Sequence, residues 1–309
     1  MDTPAPPPFP PAVRALVRAF RSQRPLRGGS LLVTIFGDSI APRGGAVMLG
    51  SLIALAAPFG LTERLVRTSV ARLAREGWLT AVRAGRRSEY RLSHTGARRF
   101  AEATQRIYGP APTDWDGHWT LVLLPPAAQA AQARSELHWL GFGQIAPSVL
   151  AHPGASLGQA RGWLAGIEGA AQAALLAGQA PDEATARALV SRGWDLKELR
   201  RRYARFCERF AGIEAQCRGR DVPPGQAFLV RTLLIHEYRK IHLQDPLLPV
   251  RLLPAAWEGA DAYQITRRIY RAVFARADEY LTRSAARLAG PLPAVEPAAF
   301  GRFGGLPRG

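Results

Sequence analysis

Two cysteines in 309 residues, Cys207 and Cys217, exclude a disulfide framework, and no partners in a metal-ligand pattern stand near them. Lysine is almost as scarce, present only at 197 and 240, so nearly all of the positive charge is arginine. No apolar run approaches the ~20 residues that span a bilayer, and the N-terminus is rich in proline rather than basic then apolar. Neither membrane insertion nor export is expected, and the expected compartment is the cytoplasm. Catalytic patterns are missing too: there is no Gly-x-Ser-x-Gly, and the serines and histidines are scattered. In His236-Glu237-Tyr238-Arg239-Lys240-Ile241-His242 the histidines stand six apart, about 240° around a helix, so they cannot share a metal. Gly141 to Ala146 spell Gly-x-Gly-x-x-Ala, but here the glycines follow a helix and open a strand, the reverse of a dinucleotide loop. No catalytic residue, metal site or cofactor is assigned.

What the chain does have is charge and apolar bulk. A net +17 favours a polyanionic partner through phosphate contacts and counterion release, and 47% apolar residues predict a globular protein of two or three domains. The charge is concentrated. Residues 61–106 hold eleven arginines, no lysine and four glutamates. Just before that stretch Val47 to Leu55 reads as a short buried helix broken by Pro58-Phe59-Gly60, and a second helix opens at Leu61-Thr62-Glu63 with Thr62 as N-cap. Val66, Val70 and Leu73 share its inner face, which leaves Arg64, Arg67, Thr68 and Arg72 on the other side. Gly77 suits the left-handed stop of the helix. Leu79–Arg83 and Ser88–Leu92 then form a hairpin with a basic tip at Ala84-Gly85-Arg86-Arg87. Helix, turn, helix and basic hairpin together make a winged helix for duplex DNA, with Arg64, Arg67, Thr68, Ser69 and Arg72 in the major groove and Arg86 and Arg87 on phosphate or the minor groove.

Around this unit the expected organisation is a disordered or basic leader over 1–27, in which Ala12–Arg21 could be a short helix, and a winged-helix domain over 28–109 whose first helix is Ser30–Ile40. Ala97–Ile107 leads out of it. A linker at Gly109–Thr113 opens a middle domain over 110–185, in which strand Trp119–Leu124, helix Ala127–Leu140 and a second strand within 141–151 make a β-α-β start compatible with a ferredoxin-like fold. Residues 186–290 read as helical, with long helices at Asp195–Phe210, Gln226–Leu243 and Tyr263–Leu288, and 291–309 as a disordered tail. The fold class is therefore α+β and multidomain.

The order of parts resembles the PaaX family, repressors of phenylacetic-acid degradation operons, over roughly residues 28–285. The resemblance is carried by Ser30–Asp38, Gly60–Leu79, Trp115-Asp116-Gly117 with the strand after it, Trp139–Gly143, and Leu234–Arg239 leading to Asp245-Pro246-Leu247-Leu248-Pro249. It implies a Cas2-like middle domain, a homodimer on a palindromic operator, and release by an aryl-acyl-CoA such as phenylacetyl-CoA. His236, Tyr238 and Arg239 are candidate residues for that ligand. Cas2-type metal-dependent cleavage would want a carboxylate at the end of the first strand, and Leu123-Leu124-Pro125-Pro126 stands there instead. Two alternatives remain open: an enzyme acting on a CoA thioester or nucleic acid, and an architectural DNA-binding protein with no effector.

Overall fold

In the computed structural model, which describes residues 11–24, 28–110, 115–125, 130–219 and 221–307, the helical period of the N-terminal segment is satisfied from the start. Helix α1, Pro11–Arg21, buries Val13, Leu16 and Phe20 on one stripe, so this part of the leader is packed rather than disordered. Residues 1–10 lie outside the described residues. Helix α2, Gly28–Ile35, runs into a wide turn over Phe36–Ile40. The helix expected from Val47 begins later. Ala46–Met48 is strand β1, and α3 is Leu49–Ala56. Val47 is fully buried and pairs with Tyr90, so strand pairing overrides the helical pattern of the segment. Helix α4, Glu63–Arg75, strands β2, Leu79–Ala84, and β3, Arg87–Leu92, and helix α5, His94–Tyr108, complete the winged helix, whose antiparallel sheet has the order β1-β3-β2.

The middle segment contains β4, His118–Leu123, α6, Ala131–Trp139, β5, Gly143–Ala146, β6, Val149–His152, α7, Leu157–Leu164, β7, Ala174–Gln179, and α8, Glu183–Gly193. The single strand expected within 141–151 is in fact a hairpin. Pro147 has no N–H to donate to a ladder, and the chain reverses at Pro147-Ser148 so that Ala146 pairs with Val149. The β-α-β-β-α-β order and the antiparallel sheet β5-β6-β4-β7 are those of a ferredoxin-like fold. Strand alternation sends Val122 and Leu150 to one face, against Ala133, Leu137 and Ala160 of α6 and α7. Trp119 and Ala151 go to the other, against Val190 of α8, Leu248 and Leu252.

Three long helices follow: α9, Leu196–Cys217, α10, Pro224–His242, and α11, Glu258–Ser284. A two-residue hairpin, β8 Ala286–Arg287 with β9 Gly290–Pro291, ends the last of them four residues before the expected Leu288. The tail expected to be disordered from Pro291 is packed: Pro297–Gly304 turns helically and buries Ala299, Arg302 and Phe303. The chain gathers into two compact units, one from Met1–Gly109, Arg205–Lys240 and Asp261–Gly309, the other from Pro110–Ala204 and Ile241–Ala260. Helices α9, α10 and α11 each run from one unit into the other, so the segment expected as a helical domain over 186–290 is shared between them.

Candidate nucleic-acid interface

Thr62 opens α4 with extended backbone and accepts the Leu65 amide on its hydroxyl at 3.2 Å, which satisfies one of the unpaired donors of the first turn. Val66, Val70 and Leu73 are buried against the rest of the fold, as their spacing requires. Arg64, Arg67, Thr68 and Arg72 are all exposed. They are not equivalent. Arg67 donates to Glu63 one turn earlier, with Nε 2.8 Å from Oε1, whereas the Arg72 guanidinium lies across Gly29, where a Cβ would come within 2.2 Å of Nη2. Gly29 therefore leaves the space that lets Arg72 fold back along α2. Ser69 is a correction. It lies three residues after Val66 and four before Leu73, on the packed stripe, and is buried beside Gly29 rather than presented to solvent.

Gly77 takes the left-handed conformation, φ 74°, that a Cβ would strain, and the chain leaves α4 for β2. In the wing, Ala84 pairs with Arg87, so the loop is Gly85-Arg86. Positive φ at Gly85 and not at Arg86 is the pattern of a type II′ turn, whose twist matches the strands it joins. Arg83, Arg86 and Arg87 are exposed around this tip. At the foot of the wing Glu89 is buried and accepts the Leu288 amide at 2.6 Å and Arg91 Nε at 2.5 Å. Burial by itself would raise its pKa, but the Leu288 bond and Arg91 outweigh it and hold the carboxylate below its ordinary value. Thus β3 is tied to the chain after α11, and Ser51 accepts the Ala286 amide at 3.0 Å beside it.

A second anchor was not visible in the sequence. Asp38, in the turn after α2, is fully buried between Arg231 of α10 and Arg302 of the tail, and Tyr108 and Tyr270 donate their hydroxyls to it. The turn after α2 is thereby fixed to α5, α10 and α11 through one carboxylate. The three candidates for ligand binding fall in the same packed interior. His236 is fully buried, shares a 3.1 Å hydrogen bond with Thr34 and meets Phe20 edge to face, and Tyr238 is buried against Phe206 and Phe303. Arg239 donates Nε to Thr34 at 2.8 Å and Nη2 to the Ser30 carbonyl at 2.7 Å, and burial pushes its pKa down to about 10. His236 and Tyr238 are thus buried, and Arg239 is half-buried.

An open groove of about 790 Å³ does occur in the other compact unit. Val190, Trp194 and Leu252 form part of its wall, and Arg192, Lys197 and Arg251 stand along it. Those cations were spread over sixty residues of sequence with no motif to join them.

Three family models match in register with these parts: PaaX-like protein over residues 27–96, the PaaX protein central Cas2-like domain over 112–190, and the PaaX-like protein C-terminal domain over 194–283. The chain is 38% identical over 289 residues to the transcriptional repressor PaaX of Escherichia coli (strain K12), covering 91% of this chain and 92% of the relative. A solved structure, an uncharacterised protein from Mycobacterium tuberculosis, is 24% identical, with a TM-score of 0.49 over 75% of this chain and 90% of the other. Winged helix, Cas2-like domain and C-terminal helical region follow in the family's order, and the chain belongs to the PaaX-like family.

Proposed function

We propose that the protein is a transcriptional repressor, and not an enzyme, that reads a palindromic operator as a homodimer and is released by an aryl-acyl-CoA of the phenylacetyl-CoA type. The observation that carries the DNA reading is the exposed flank of α4, Arg64, Arg67 and Thr68, beside a wing tipped with Arg86 and Arg87. Guanidinium groups on a helix packed by its opposite stripe suit base edges in the major groove, and the wing arginines suit phosphate. The repressor relative and the family models support the same function. For the effector, the groove beside Trp194 offers apolar wall for an aryl group and Arg192, Lys197 and Arg251 for phosphates. Induction is a population shift, in which the acyl-CoA binds more tightly to the conformation that no longer matches the operator.

The test is a titration of phenylacetyl-CoA, free CoA and phenylacetate into a complex with a duplex selected from a random pool. Dissociation by the thioester alone is the expected result. Formation of a product would replace the repressor by an enzyme, and indifference to every ligand by an architectural protein. Arg86→Ala separates backbone contact from base reading in the same assay. Binding should weaken alike for all sequences, with the salt slope reduced by about one. A changed preference at one base pair would move the wing from phosphate to a base edge.

A further inference from the structure

The two edge strands of the middle sheet, β5 and β7, are packed differently. At β5, α8 closes glycine on glycine: a Cβ on Gly193 would stand 3.3 Å from the Gly143 Cα. Trp194 also lies over Gly143 and donates its indole N–H to the Gly141 carbonyl at 3.1 Å. Strand β7, at the far side of β4, has four of its six residues exposed, and Leu176 is 50% exposed. Its sequence, Ala-Leu-Leu-Ala-Gly-Gln, has no charge and no proline, and its pairing with β4 has no bulge. Among the described residues, no charge, proline or bulge within β7 keeps it from accepting another strand. The surface beside it is apolar as well. Leu176 stands opposite Leu121 and Ala174 opposite Leu123, which in turn faces Val149, and these three β4 and β6 residues are only half-buried.

Charge decides what fits there. Residues 112–190 hold three arginines against six carboxylates, a net −3 in a chain of +17, so the remainder carries +20. A polyanion has no attraction to this segment. Two copies of so basic a chain repel each other over most of their surface, and meet with least cost where the charge is absent or reversed. An antiparallel edge is also self-complementary: a two-fold axis brings a strand against its own copy with both sets of outward N–H and C=O groups paired.

We propose that β7, with the face formed by Leu121, Leu123 and Val149, seats a second copy of this chain, β7 pairing with β7 so that two four-stranded sheets join into one of eight. This rests on the two-copy reading of the repressor and gives that reading its location. Leu176→Arg places two guanidinium groups at the joint without disturbing the buried core. Sedimentation velocity of the full chain should show wild type as a dimer and Leu176→Arg as a monomer, with association weakened at least tenfold and circular dichroism unchanged. The variant should keep its affinity for an isolated half-site and lose the gain on the palindrome. Leu176→Cys, in a Cys207→Ser background, should form a covalent dimer on oxidation. A Leu176→Arg protein as dimeric as wild type, with no cross-link through Cys at 176, overturns the location and leaves the two-copy reading standing. Wild type that is monomeric both free and on the palindrome overturns both.

Discussion

Asp38→Ala should cost the fold about 3–5 kcal/mol, the range for removing one partner of a buried ion pair. The carboxylate accepts Arg231 Nε at 2.7 Å on one oxygen, and Tyr108, Tyr270 and Arg302 at 2.7, 2.8 and 3.2 Å on the other. Its backbone carbonyl accepts both arginines again, at 2.7 and 2.9 Å. Without it two guanidinium groups stay buried with no anion between them, and two phenol hydroxyls lose their acceptor. Burial works against the charge on Asp38, but Arg231 first and Arg302 next, with the two tyrosines, outweigh it and hold the pKa below the ordinary 3.8. A depressed carboxylate contributes stability that is fully present above the unfolded value and is lost as pH falls through the folded one. Wild type should therefore lose this contribution only below about pH 4, and the variant should show a flatter acid limb. Urea denaturation at pH 7 reads the difference as a shift of midpoint at unchanged slope. Asp38→Asn, which keeps the shape and one acceptor, should fall between the two. A loss under about 1 kcal/mol for Asp38→Ala would mean that water or a rearranged tail replaces the carboxylate, and that the turn after α2 is held elsewhere.

The contrast between α4 and Asp38 shows what a one-dimensional pattern carries. Thr62, the Val66-Val70-Leu73 stripe and Gly77 act over one to four residues, so cap, inner face and stop of the helix are all readable from spacing. The wing hairpin and the β-α start of the middle segment are local in the same sense, whereas the reversal at Pro147-Ser148 that makes two strands of the one expected was not read. Asp38 meets partners 70, 193, 232 and 264 residues away, and nothing in the run from Leu31 to Ile40 marks that acid as the meeting point. Val47 is a strand because Tyr90 is available to pair with it, and the tail is ordered because Arg302 and Phe303 find a buried site; both facts are tertiary. Ser69 is a different kind of miss. Its position three residues from Val66 and four from Leu73 already places it on the inner stripe, so the local pattern held the answer.

Arg67→Ala should lower specific operator affinity by about 1–3 kcal/mol, roughly 5- to 150-fold, and relax the preference at one base pair. In the free protein the Arg67 guanidinium rests on Glu63, with side chains 56% and 59% exposed. An exposed i,i+4 pair of this kind is worth only a few tenths of a kcal/mol, so a bidentate contact with guanine outweighs it several times over. On the proposed reading, Arg67 is stored on its own helix at little cost and is released when it meets a base edge. Glu63→Ala removes the resting partner and should leave specific binding unchanged or slightly tighter, because one less bond is broken on docking. Ser69→Ala, inside the packed stripe, should leave base preference untouched. Competition of selected against scrambled duplexes at fixed salt separates these outcomes from a general loss of phosphate attraction. If Arg67→Ala weakens both duplexes equally and lowers the salt slope, Arg67 is a phosphate contact, and base reading shifts to Arg64 and Thr68 on the same exposed flank.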